Sequence, residues 1–132
     1  MKQIFFITGT DTGVGTTYIS CQLLANANRQ GKHTLGLKPL AAGADMTANG
    51  LRNDDALALQ AVSTVKLPYG MINPFCFAQP TAPHIAAAQQ GVSLTAANIA
   101  NRIESVITAT TADYIIIEGA GGWRVPVNDT ET

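Results

Sequence analysis

Ile4 to Ile7 form an unbroken apolar run that ends at Thr8 and Gly9. A run this short, with no polar alternation, predicts a strand buried on both faces, as parallel sheets require. A stretch bearing Gly9, Gly13 and Gly15 follows. From about Thr17 the period lengthens. Ile19, Leu23, Leu24 and Ala27 recur at helical steps, and Gly31 supplies a stop. Thr34 to Leu37 predicts a second short strand, closed by Lys38-Pro39, while positions 41 to 50 read as loop. Asn53 is placed to cap a helix running through Asp55, Leu57 and Leu59. Prolines at 68, 74, 80 and 83 predict mostly irregular chain between Val65 and Pro83. A short helix from His84 to Gln90 is expected next, then a longer one capped by Ser93. Its apolar face holds Ala96, Ile99, Ile103 and Val106 or Ile107. Tyr114 to Ile117 predicts a third buried strand, leaving through Glu118-Gly119-Ala120-Gly121-Gly122.

Strands alternating with helices predict an α/β fold with a parallel sheet and right-handed crossovers. Such sheets bind ligands at the carboxyl ends of their strands. The glycine stretch, Lys38 and Glu118 all fall at those ends. Between a strand and a helix, glycines let backbone N–H groups turn inward onto a phosphate, and the helix N-terminus adds partial positive charge. Thr17, in the first helical turn, is placed to offer a hydroxyl to Mg²⁺. The match to the phosphate-loop pattern G-x-x-x-x-G-K-[ST] fails at two positions. Thr10 stands at the first glycine, with Gly9 one residue early, and Thr16 stands at the lysine. A plain glycine-rich turn is the bland alternative.

Composition narrows the picture further. The chain has 132 residues, 46% of them hydrophobic and 13% charged, which predicts one folded domain with a sizeable core. A net charge of -1 argues against nucleic-acid or membrane-surface binding, which calls for a basic patch. Cys21 and Cys76 have no metal or redox spacing and read as core thiols in a reducing compartment. The apolar run from Ile4 is too short for a signal peptide or a span, so a cytoplasmic protein is expected.

Taken together, GTDTGVGTT (9–17), GLKPLAAG (36–43), GLRNDDALAL (50–59), INPFCFAQPTAPHIAAAQ (72–89) and IIIEGAGGW (115–123) resemble dethiobiotin synthetase, in order and along the whole chain. The loop of that family typically reads GTDTxVGKT, which accounts for the displaced glycine. The resemblance implies a P-loop NTPase-like parallel sheet flanked by helices, stopping short of the family's usual extent. It implies ATP and Mg²⁺ as cofactors, 7,8-diaminononanoate and CO₂ as substrates, and a homodimer. Carried over by position, Gly13, Val14, Gly15, Thr16, Thr17 and Tyr18 surround the triphosphate. Lys38 becomes the catalytic lysine. Thr17, Asp55 and Glu118 hold the metal, and Gly119, Ala120 and Gly121 lie near the nucleotide. Ala42 takes the place of a substrate-contacting serine. In the implied chemistry a substrate amine takes up CO₂ as a carbamate, which attacks the γ-phosphate, and the second amine closes a cyclic urea. Taken singly, Lys38, Asp55 and Glu118 also admit bland readings as a snorkelling lysine and element-end acids. His84 has no assigned role.

Three features depart from the family pattern. Thr16 lacks the ammonium that faces the β- and γ-phosphates, Ala42 lacks a hydroxyl, and the chain ends early relative to the family. They leave two alternatives beside the enzyme: an inactive nucleotide-binding fragment, and a related P-loop ATPase switch.

Overall fold

The computed structural model describes residues 2–7, 14–41, 44–77 and 96–119, with the side chains of 14–16 and 96 left out. Three strands form one parallel sheet. They are β1 (Gln3–Ile7), β2 (Thr34–Leu37) and β7 (Tyr114–Glu118), in the order β1-β7-β2. Tyr114 to Glu118 pair with Gln3 to Ile7 on one side, and Tyr114 to Ile117 pair with Thr34 to Leu37 on the other. Parallel pairing sets the carboxyl ends of all three strands at one rim.

Alternation along the strands sends side chains to two helical layers. Leu35, Leu37, Ile115 and Ile117 share a core with Ile72 of α3 (Tyr69–Ile72) and Val106 of α4 (Ala96–Ala109). Ile103 and Ile107 of α4 pack against the same core, on the face the apolar periodicity predicts. On the other side, Ile116 meets Leu24 of α1 (Val14–Arg29) and Leu59 of α2 (Asp54–Val62). Gly36 of β2 lies under both helices. A Cβ there would come within 3.0 Å of Leu24 Cδ1 and of Leu59 Cβ, so the bare backbone is what lets α1 and α2 approach.

Several local features match their sequence signals. Gly31 follows α1 at φ +83°, a conformation that favours glycine. Asn53 caps α2 by accepting the Ala56 N–H at 3.0 Å. Others do not match. The buried stripe of α1 is Thr17, Ser20, Leu24 and Ala27, whereas Ile19 is exposed. The predicted loop at 41–50 contains β3 (Leu40–Ala41) and a hairpin of β4 (Asp45–Thr47) and β5 (Gly50–Arg52). The proline-bearing segment holds α3 and β6 (Phe75–Cys76), which pairs with β3 in parallel. Cys21 and Cys76 are free and only half-buried.

The largest correction concerns β1, expected to be buried on both faces. Among the described residues it is an edge strand, with Ile4 and Phe5 exposed and Phe6 68% accessible. The opposite edge, β2, is treated differently. Ser63 Oγ accepts the Gly36 N–H at 2.9 Å, Thr64 Oγ1 accepts the Thr34 N–H at 2.8 Å, and the Val65 N–H reaches the Thr34 carbonyl at 3.0 Å. The chain leaving α2 thus satisfies backbone groups that an uncovered edge would present to solvent. The predicted helix at 84–90 and the Ser93 cap lie outside the described residues. Among the described residues, no helix is long and apolar enough to cross a membrane.

Candidate functional site

Lys38 follows directly on β2, and Glu118 is the last residue of β7, its neighbour in the sheet. Both side chains are buried: Lys38 is 3% exposed and Glu118 0%. Ions of opposite sign placed this deep must meet, because an isolated buried charge is prohibitively desolvated. The Lys38 Nζ lies 3.2 Å from Glu118 Oε1 and 3.3 Å from Asp55 Oδ2. It also donates to the Gly119 carbonyl at 3.3 Å, so all three ammonium N–H groups have acceptors.

Thr17, in the first turn of α1, donates its hydroxyl to Glu118 Oε1 at 2.5 Å. One carboxylate oxygen therefore collects a hydroxyl and an ammonium. The other, Glu118 Oε2, is buried with no hydrogen-bond partner among the described residues. A charged oxygen left unpartnered in the interior calls for a cation. With two carboxylates against one ammonium, the cluster carries net negative charge. The Cys21 thiol, one helical turn beyond Thr17, registers it: burial first, then the charges of Glu118 and Asp55, push it above the usual thiol range.

The donor set is a hydroxyl and two carboxylates, all hard oxygen. No group of three or more His, Cys, Asp or Glu converges among the described residues. That combination suits Mg²⁺, which keeps water and takes one or two carboxylates plus substrate phosphates, better than it suits a softer ion.

The structure brings together Thr17, Lys38, Asp55, Glu118 and the Gly119 backbone. Tyr18 is exposed on α1 and is not part of this cluster. Val14, Gly15 and Thr16 lie in the first turn of α1, with their side chains not described. Gly13, Ala42, Ala120, Gly121 and His84 fall outside the described residues.

Two residues that sequence reading passed over support the cluster. Asn73 donates Nδ2 to the Lys38 carbonyl at 2.6 Å, and its Oδ1 accepts the Tyr69 hydroxyl at 2.7 Å. Asn73-Pro74 is a turn-forming dipeptide, a signal for loop structure that does not by itself point to Lys38.

The sequence profile of the AAA domain family matches residues 3–132. The chain belongs to this family. Within it, the likeness to proteins named ATP-dependent dethiobiotin synthetase runs along the whole chain. It is 53% identical over 131 residues to one from Marinobacter nauticus, covering 99% of this chain and 56% of that relative. With the Salmonella typhi protein identity is 48% over 132 residues, covering 100% and 57%. With the Cellvibrio japonicus protein it is 52% over 131 residues, covering 99% and 57%. The chain thus spans little more than half the length of these relatives. A three-stranded parallel sheet flanked by helices accords with the P-loop architecture of the family.

Proposed function

We propose that this protein acts as an ATP-dependent dethiobiotin synthetase, closing a cyclic urea on 7,8-diaminononanoate with CO₂ and MgATP. The observation that carries the proposal is the cluster of buried Thr17, Lys38 and Glu118 with partly exposed Asp55 at the carboxyl ends of β2 and β7, one carboxylate oxygen having no partner among the described residues. The names borne by the matching relatives support the same reading.

Thr17, Asp55 and Glu118 are the residues that would hold Mg²⁺, which when bound neutralises charge on the phosphates. The residues themselves supply the rest. The glycine stretch and the N-terminus of α1 would offer backbone N–H groups to phosphate oxygens. Gly119, Ala120 and Gly121 would line the nucleotide beside them. Ala42 would face the substrate without a hydroxyl to bind it. Among the described residues Lys38 is the one buried cation, and phosphoryl transfer depends on positioned positive charge. With all three donors engaged, Lys38 must release one acceptor before it can contact a phosphate or carbamate oxygen. The proposal carries with it a cytoplasmic location and the homodimer of the resembled family.

A second reading is favoured by Thr16: a protein that binds nucleotide without turning it over. Threonine is short and uncharged, and a preorganised charge-stabilising donor is commonly worth about 2.7–4 kcal/mol, roughly 10²–10³ in rate. Thr16→Lys is therefore expected to raise turnover of diaminononanoate, bicarbonate and MgATP by about 10²-fold. Release of ADP and formation of dethiobiotin measure it. If Thr16→Lys binds MgATP more tightly yet forms no product, the non-catalytic reading replaces the first. If it changes neither binding nor turnover, both fail.

A further inference from the structure

Lys38 is held at both ends. Its Nζ enters the carboxylate cluster, while its backbone is clamped from the other side. The Lys38 N–H donates to the Ile72 carbonyl at 2.9 Å, and the Lys38 carbonyl accepts Asn73 Nδ2 at 2.6 Å. Asn73 is buried, so the orientation of its amide is decided by its partners. The deciding partners are the Lys38 and Phe75 carbonyls, which can only accept and so hold Nδ2 on their side at 2.6 and 3.5 Å. The Tyr69 hydroxyl accepts the Asn53 N–H at 2.7 Å, donates to Asn73 Oδ1 at 2.7 Å and has Cys76 Sγ at 3.8 Å. With Nδ2 fixed on those carbonyls, Oδ1 faces the hydroxyl and accepts its hydrogen, so Tyr69 anchors the other side of the Asn73 amide.

The other arm of the same hydroxyl reaches α2. Asn53 caps that helix through the Ala56 N–H, and Asp55 stands in its first turn. A closed circuit results. It runs from the Lys38 ammonium to Asp55, through the Asn53 cap to the Tyr69 hydroxyl, and through Asn73 back to the Lys38 carbonyl. The Tyr69 ring packs against the core below β2 and carries the Arg52 guanidinium 4.3 Å above its centroid. Ring and hydroxyl thus have separable jobs: the ring fills space, and the hydroxyl orders two polar partners. Burial pushes the Tyr69 phenol up to about 12, so it remains a donor at any physiological pH.

We infer that Tyr69 and Asn73 are positioning residues that set the placement of Lys38 relative to Asp55. Neither touches the carboxylate cluster. Tyr69 acts by fixing the Asn73 amide and the start of α2, and Asn73 acts by holding the Lys38 backbone. Removing the hydroxyl leaves Asn73 Oδ1 and the Asn53 N–H without that partner, which loosens both the amide that holds the Lys38 carbonyl and the start of α2. The consequence is then felt at the ammonium, although the fold is kept.

Tyr69→Phe keeps the ring and isolates the hydroxyl. Two readouts test it on the protein as it stands. The first is the Lys38 Hε/Cε resonance in the free protein, which is expected to move in Tyr69→Phe and in Asn73→Ala. The second is MgATP affinity by calorimetry, and this arm rests on the nucleotide-site reading above. Tyr69→Phe is expected to weaken binding about 10-fold, the usual scale for losing a residue that orients a ligand-bearing group. In an Asp55→Asn background the same substitution should change affinity less than twofold, because the circuit has already lost its charged end. An equal loss in both backgrounds, or an unmoved Lys38 resonance in Tyr69→Phe, overturns the inference. Absence of MgATP binding in the parent protein would refute the nucleotide reading, and the resonance would then decide the positioning role by itself.

Discussion

Lys38 is an expensive residue to place where it is. Burying an ion triad has a desolvation penalty that mutual attraction repays only with full hydrogen bonding, and well-packed hydrophobic replacements are often as stable or better. Three acceptors around Nζ meet that condition for the lysine, but Glu118 Oε2 has no partner among the described residues, so within them the cluster is incomplete as a structural device. Such incompleteness fits a site meant to receive a cation. Lys38→Met leaves Glu118 buried without its counter-charge and is expected to lower unfolding stability by about 3–5 kcal/mol, read from the denaturant midpoint. At this scale the sequence was informative for Lys38 and Glu118, since both close strands predicted from short apolar runs. It was silent on Asn73 and Tyr69. Their importance comes from where the chain folds back beneath Lys38, and no local pattern encodes that.

Elements were legible where burial imposed a period. The strand at Thr34–Leu37, the strand ending at Glu118 and the apolar face of α4 all follow from runs and helical spacing. The hairpin of β4 and β5 escaped because its strands are three residues long and largely exposed, with Met46 in solvent. Its Asn49-Gly50 dipeptide, with Gly50 at φ +106°, was the available signal. On α1, Ile19 was expected in the core, but the buried stripe begins with two polar residues, Thr17 and Ser20, of which Thr17 reaches Glu118. A hydrophobic count misses a helix face that serves chemistry at one end and packing at the other. Gly36 shows how closely the helices are fitted. Gly36→Ala must push against Leu59 Cβ, which belongs to the helix stem and not to a flexible tip. Overpacking of about 1–3 kcal/mol, less about 0.4–1 kcal/mol from a stiffer unfolded chain, predicts a net loss of about 1–2 kcal/mol. Urea unfolding of the variant against the parent measures it.

At the scale of the whole molecule, the sheet is covered on both faces at β2 and β7 and exposed at β1. The β2 edge is closed by Ser63, Thr64 and Val65, whereas β1 leaves Phe6 in solvent. The sequence cannot separate a central strand from an edge by its apolar run alone, because position in the sheet depends on where a distant strand inserts. Here β7, from the far end of the chain, enters between β1 and β2 and becomes the doubly paired strand. That insertion also builds the site, since it sets Glu118 between the start of α1 and the end of β2. If this cluster is a metal–nucleotide site, Mg²⁺ and ATP must bind together and through Glu118. Calorimetric titration with ATP, with and without Mg²⁺, in the parent protein and in Glu118→Gln, tests that directly. The expected result is tighter binding with Mg²⁺ in the parent and loss of that difference in Glu118→Gln. Equal affinity with and without Mg²⁺ in the parent, or a Mg²⁺ effect undiminished by the substitution, would contradict it.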